Sequence, residues 1–393
     1  MSPRARRTAS LATAIDFGAF AIALVVAFGA GCTRRGNDGS DGGTSAARVK
    51  AIKVGLVTDV GGRGDQSFND SALRGLELWA AGLKFQGGGY TAASPEEIRA
   101  SVPPGVTGRG IRIEPLGVTP LVLQSKSQED YEPNLQLLAD QGAELVVGTG
   151  FMLENAIEAA AKRNAAAKFL LIDSPLLDPQ GRPYQLPNVR TIVFREEEGS
   201  FLVGALAAFA SRTKKLGFVG GMEIPLIKKF EAGYKAGARA VVPAVQVLAA
   251  YTGTFDNIAT GKQVAQDLLA KGADVVFHAA GSDGLGAIHA VKEARAAGRE
   301  VYAIGVDSDQ WHSAPGAVLT SMVKNVDLAV YEAARDLVRG TFTAGDVVLG
   351  LKEGAVGWAE VRVDFPGKAE ALARLEQLRQ EIVDGRIRVP VQP

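Results

Sequence analysis

Residues 52–69 read IKVGLVTDVGGRGDQSFN, and this stretch decides the fold. Ile52–Thr58 is a short apolar, β-branched run that stops at Asp59; a glycine-rich turn follows, and then an amphipathic stretch near Asn69–Leu83. That order predicts a buried strand, a loop and a crossover helix, the unit from which parallel sheets are built. The unit recurs. Further strands are expected at Leu145–Gly148, Phe169–Ile172, Leu216–Val219, Val245–Tyr251, Val275–His278 and Val301–Val306. Helices are expected between them at Glu154–Asn164, Gly199–Ser211, Ile227–Val241, Ile258–Lys271 and Leu285–Ala297, with a charged surface helix at Lys368–Asp384. There are more units than one sheet holds comfortably, so the fold class is α/β with two lobes. Residues 86–123 interrupt the alternation with Gly, Pro and polar residues, an excursion too long for an ordinary connection.

Outward from this body, the N-terminus reads as an address. Arg4, Arg6 and Arg7 precede the apolar run Phe17–Gly31, which is shorter than the about 20 residues of a membrane span and fits a secretory signal peptide over residues 1–32. Gly29-Ala30-Gly31-Cys32 resembles a bacterial lipobox, which makes Cys32, the chain's one cysteine, the expected lipidation site. Residues 33–50 are polar and glycine-rich and read as a flexible tether. Removing residues 1–31 takes away three arginines and Asp16, leaving 40 basic against 42 acidic side chains. That balance argues against a nucleic-acid binder, which would carry a basic excess. One cysteine excludes a disulfide framework and any CxxC site, and His278, His289 and His312 show no metal-ligand spacing. No cofactor or metal is implied.

Ligands of open parallel sheets bind beyond the carboxyl ends of the strands. Here those ends carry carboxylates: Asp59 after the first strand, Asp173 after Phe169–Ile172 and Asp307 after Tyr302–Val306. The Gly281-Ser-Asp-Gly284 turn follows the strand through His278. Any one such Asp is most simply an N-cap; several together point to a shared polar cleft. Phe68 and Phe255 lie in turn-rich segments beside these carboxylates, off any core-facing stripe. Catalytic patterns are missing: there is no GxSxG elbow and no Walker A sequence. The segment Thr58–Asp65 resembles the DxDxxxDD calcium loop of nucleoside hydrolases, but Val57 stands where its first Asp should be.

Taken together, Val54–Asn69, Asp130–Asn134, Gly148–Phe151, Phe169–Asp173, Glu197–Gly204, Gly220–Pro225, Phe230–Tyr234, Gly305–Gln310 and Thr320–Asn325 resemble, in order, the basic membrane protein family. Its best-known members are PnrA-like purine-nucleoside-binding lipoproteins of ABC importers. The resemblance implies a type I periplasmic-binding-protein fold, two Rossmann-like lobes joined by a three-stranded hinge, with the ligand between them. It places 51–192 and 312–340 in lobe 1, with the insertion 86–123, and 193–311 and 341–393 in lobe 2. Crossings are expected near 190–198, 307–318 and 338–346. It further implies that Phe68 and Phe255 sandwich a purine, that Asn69 and Asp173 hydrogen-bond the base with Asp59 nearby, and that Asp307 accepts from ribose hydroxyls. Lys324 would donate to the same sugar and keep Asp307 ionised, and Gly281 would let the backbone approach the ligand. The expected function is that of a non-enzymatic, exported, membrane-anchored lipoprotein, a monomer, that delivers a nucleoside to ABC permease and ATPase subunits. The alternatives are the same fold with another sugar-like solute or signal as ligand, and a nucleoside hydrolase.

Overall fold

The computed structural model describes residues 51–108 and 110–393; the expected signal peptide, lipidation at Cys32 and the expected tether lie outside the described residues. Strand β1 (Lys53–Thr58) leads through the glycine-rich loop into helix α1 (Phe68–Leu73), which runs on as a π-helical stretch over Arg74–Ala80. Then come a hairpin of β2 (Leu83–Gln86) and β3 (Gly89–Ala92), the helices α2 (Pro95–Ser101) and α3 (Pro104–Thr107), and β4 (Thr119–Gln124). Regular alternation resumes with α4 (Tyr131–Asp140), β5 (Leu145–Thr149), α5 (Glu154–Arg163) and β6 (Lys168–Ile172). A small hairpin of β7 (Leu176–Leu177) and β8 (Pro183–Tyr184) precedes β9 (Val189–Phe194).

The chain then enters the second lobe with α6 (Glu196–Ala210), β10 (Lys215–Gly220), α7 (Pro225–Val241), β11 (Gln246–Tyr251) and α8 (Ile258–Ala270). It continues through β12 (Val275–Ala279), α9 (Gly281–Ala296), β13 (Tyr302–Asp307) and β14 (Val318–Lys324). Helix α10 (Val326–Val338) and β15 (Gly345–Leu349) return to the first lobe, and β16 (Val356–Trp358) and α11 (Lys368–Val383) finish in the second.

Two six-stranded sheets result, ordered β15-β9-β6-β5-β1-β4 and β11-β10-β12-β13-β14-β16. All pairs are parallel except β14 with β16. The central strands are buried on both faces, which is why they read as continuous apolar runs rather than alternating ones. In each sheet the first strand of the lobe has its successor on one side and the next strand on the other. The connections from β1 and β5, and from β10 and β12, therefore diverge and open a crevice at their carboxyl ends. The two crevices form the cleft between the lobes.

Three expectations are corrected. Residues 312–324 belong to lobe 2, because β14 pairs with β13 from Ala303↔Val318 to Asp307↔Val323. Residues 345–349 belong to lobe 1, because β15 pairs with β9. The return and final crossings accordingly fall at Asn325 and Gly350, not near 307–318 and 338–346, while the first falls at Arg195. Neither β14 nor β15 is among the strands expected from the sequence, and lobe membership is set by the sheet that takes a strand up, which no local pattern marks. Third, 86–123 is not one irregular excursion: it holds half of a hairpin, two helices and β4, the edge strand of the first sheet.

Candidate functional site

Between the lobes lies a cleft lined by residues of both. All eight residues singled out in the sequence line it: Asp59, Phe68, Asn69, Asp173, Phe255, Gly281, Asp307 and Lys324. Phe68 and Asp307, from different lobes, face the same space.

The wall from lobe 1 is a hydrogen-bonded frame. Asp59 Oδ1 accepts from the Gly61 amide (2.8 Å) and from Asn69 Nδ2 (2.7 Å), and the Asp59 amide donates to Asn69 Oδ1 (3.2 Å). Asn69 Nδ2 also donates to Asp65 Oδ2 (3.1 Å), so both of its hydrogens are engaged within the protein. Asp65 in turn accepts from the amides of Ser67, Asn69 and Asp70 at the start of α1. In this structure, Asn69 holds Asp59 in place. Burial pushes Asp59 up to about 7 despite the Asn69 bond, and Asp65 up to about 6.

Lys324, at the end of β14, is the cation of the site and is buried. Its Nζ donates to Asp173 Oδ2 (2.6 Å) and lies 3.5 Å from Glu196 Oε1. It also sits over the rings of Phe68 (4.9 Å), Phe194 (5.2 Å) and Phe230 (5.6 Å). Burial alone would lower its pKa; Asp173, Glu196 and Asp307 together outweigh that and hold the ammonium charged. Its direct bond goes to Asp173. Asp307 feels Lys324 through space, and its Oδ2 accepts from Ser67 Oγ (2.6 Å) across the lobes. Burial raises Asp307 to about 6, against the downward pull of Lys324 and Ser67. Burial raises Asp173 also, with Lys324 opposing, and its Oδ1 is buried with no partner.

Asp173 and Asp307 both adopt left-handed backbone (φ 72° and 62°) at the ends of β6 and β13. Such a conformation costs a non-glycine residue about 1–3 kcal/mol and persists where the surroundings impose it, often at functional sites. Here it turns two carboxylates into one cleft.

Lobe 2 contributes mainly apolar surface: Leu226, Ile227 and Phe230 from α7, Ala279 and Ala280 at the end of β12, and Phe255. The Phe255 ring rests on Gly221, where a Cβ would stand 2.2 Å from the ring; Phe151 of lobe 1 meets it edge-on at 6.3 Å. Gly281 has φ +53°, and a Cβ there would crowd the Phe255 carbonyl at 3.0 Å, so glycine is required at that turn.

Sequence reasoning missed several members. Asp65 and Ser67 lie within the quoted opening stretch but carried no separate signal. Gly150, whose absent Cβ leaves room for Asp59 and Phe68 (both 3.3 Å away), is one of many glycines. Glu196, which precedes the expected helix, carried no signal and is fully buried beside Lys324 and Lys229. Among the described residues no group of His, Cys, Asp and Glu side chains is arranged to hold a metal ion.

Comparison with known proteins gives one consistent answer. Residues 52–393 match the family described as ABC transporter substrate-binding protein PnrA-like. The chain is 32% identical over 392 residues to a CD4+ T-cell-stimulating antigen of Listeria innocua, covering 95% of this chain and 98% of that one. It is 34% identical over 385 residues to the ABC transporter nucleoside-binding protein BmpA of Lactococcus lactis, covering 94% and 97%. A solved solute-binding protein of an ABC transporter system from Aeropyrum pernix superposes with a TM-score of 0.69 at 29% identity, covering 86% and 94%.

Proposed function

This chain belongs to the family of PnrA-like ABC transporter substrate-binding proteins, and from that premise we propose that its cleft captures a nucleoside, a purine nucleoside by preference, for delivery to a membrane permease and its ATPase. The observation that carries the reading is the make-up of one cavity: two phenylalanines from opposite lobes together with carboxylates that retain free acceptor capacity. The base stacks between Phe68 and Phe255, each stack worth about 1–3 kcal/mol. Asp173 Oδ1 and the outer oxygen of Asp59 accept N–H groups of the base; hydrogen bonds to charged groups contribute roughly 1.5–3 kcal/mol each. Asp307 accepts from the ribose hydroxyls, Lys324 donates on the same side, and the Gly281 backbone closes over the ligand. Asn69 orients Asp59. Two stacks and several such bonds suffice for the about 8 kcal/mol of micromolar binding.

Delivery follows from hinge closure of two lobes around a ligand, the closed form being what a permease recognises. Cys32 carries the lipid that holds the protein at the membrane, and because one acyl chain anchors only marginally, it bears more than one. The binding unit is a monomer that performs no chemistry on its guest.

Calorimetry with guanosine, inosine, adenosine, uridine and free hypoxanthine tests the reading. Purine nucleosides should bind at micromolar concentration or tighter and well above the free base. Asp307→Ala should weaken guanosine by roughly a hundredfold, the scale of one charged hydrogen-bond partner. Equal affinity of the variant and the parent would remove Asp307 from the sugar site, and silence across the panel would remove nucleosides altogether.

A further inference from the structure

The loop Asp59–Phe68 brings Asp59, Asp65 and Phe68 to the cleft, yet three of its residues are Gly61, Gly62 and Gly64. Glycines widen the set of conformations a free chain visits, and the loop is held from within by Asp59, which takes the Gly61 amide, and by Asp70, which takes the amides of Gly64 and Gln66. Arg63 is the one long side chain in that glycine run, and it does not line the cleft. It points the other way, where its guanidinium makes a two-pronged ion pair with Glu77 of the π-helical stretch, at 2.9 and 2.7 Å. The Arg63 amide is held as well, by Gln124 Oε1 at the end of β4 (3.1 Å).

The hairpin β2–β3 closes over this pair. The Phe85 ring covers the Arg63 guanidinium at 4.2 Å, and Tyr90 Oη donates to Glu77 Oε1 at 2.5 Å. The two rings meet edge-to-face at 5.4 Å. The hairpin itself is anchored: Lys84 is paired with Glu97 of α2, and α2 is tied to the buried Trp79 through Ser101 (2.8 Å). Exposed ion pairs contribute little to stability; this one is bidentate, roofed by an aromatic ring and backed by a phenol, the conditions that make such a pair rigid.

We infer that the hairpin Leu83–Ala92 braces the ligand loop through Arg63, a positioning residue that presets Asp59, Asp65 and Phe68 before a guest arrives. The binding half of this inference rests on the nucleoside reading; the loop-ordering half does not. A preset loop lowers the ordering cost that binding would otherwise meet, so loss of the brace shows as weaker binding with the contacts to ligand intact.

The test compares Arg63→Ala, Arg63→Lys and the double variant Phe85→Ala/Tyr90→Phe, whose side chains are each more than a third exposed and outside the core. Hydrogen exchange on the ligand-free full chain reads the amides of residues 61–67. The brace predicts about tenfold faster exchange there in Arg63→Ala and in the double variant, with the strands of both sheets unchanged. Arg63→Lys, which keeps the charge but not the two-pronged geometry, should fall between. Guanosine affinity should drop about five- to fiftyfold in the same order, mainly through faster dissociation. Parental exchange in Arg63→Ala overturns the brace, and faster exchange with parental guanosine affinity overturns its role in binding. If the parent binds no nucleoside, the functional reading fails, and the exchange data still decide whether the hairpin orders the loop.

Discussion

Lobe 1 presents Asp59, Asp65, Asn69 and Asp173 to the cleft, whereas lobe 2 presents Leu226, Ile227, Phe230, Phe255 and two alanines, with Asp307 and Lys324 as its charges. In the polar wall Asp59, Asn69 and Asp65 are joined by hydrogen bonds, while Asp173 takes its bond from Lys324 of lobe 2. The apolar wall is held by packing of rings against glycine and helix. Burying carboxylates costs free energy unless they are paired, and the raised pKa values of Asp59, Asp65 and Asp307 are that cost in another form. Lobe 1 therefore offers most of the carboxylates that wait for N–H and O–H donors, while lobe 2 offers a mostly apolar surface with Asp307 and Lys324 set into it. A nucleoside has both faces.

The sharpest way to break the contrast is at Lys324, which serves both walls. Lys324→Met leaves Asp173 without its cation and Glu196 with Lys229 alone. Removing one partner of a buried pair typically costs about 3–5 kcal/mol, and urea unfolding should show a loss of that size; an unchanged midpoint would mean the ammonium is not what keeps these carboxylates buried.

On the apolar wall, Gly221→Ala puts a methyl group 2.2 Å from the Phe255 ring and must displace it. Guanosine affinity should fall by about 1–3 kcal/mol, the value of one base stack, matching Phe255→Ala, while ligand-free stability moves less. A larger loss from Gly221→Ala than from Phe255→Ala would show that the glycine does more than seat the ring.

The smallest effect concerns the polar wall and pH. Asp59 has its pKa raised from 3.8 to about 7, so the folded chain binds a proton more tightly than the unfolded chain does. The stability this contributes is complete below pH 3.8 and is lost as pH rises through about 7. Asp59→Asn removes the charge but keeps an acceptor for Gly61 and Asn69. It should stabilise the ligand-free protein at pH 8, with the difference vanishing near pH 4 in thermal or urea unfolding. Buried His278, lowered to about 4, has the opposite sign, and stability from it is lost as pH falls; taking the difference between variant and parent cancels it. A difference constant from pH 4 to 8 would mean that Asp59 keeps an ordinary pKa.

Much of this was legible in the chain. Asp59, Asp173 and Asp307 are marked by position alone, since each directly follows an apolar run, and the strand ends of parallel sheets converge on ligands. Phe68 and Phe255 stood out because they sit among turn residues. What failed was the assignment of lobes: neither β14 nor β15 is among the expected strands, and β14 joins its neighbour β13 while β15 joins the distant β9. Glu196 carried no signal of its own, because its burial beside Lys324 and Lys229 depends on elements distant in the chain.

The sequence by itself determined the alternating strands and helices, the family to which the chain belongs and the carboxylates that follow the strands, because all of these are written in short-range pattern. Only the tertiary structure decided that Lys324 pairs with Asp173 and not Asp307, that Asn69 holds Asp59, and that a hairpin lies over Arg63. Those outcomes depend on which distant side chains meet in a shared low-dielectric space. Pairing there is set by distance and burial, neither of which is carried by any single stretch of residues.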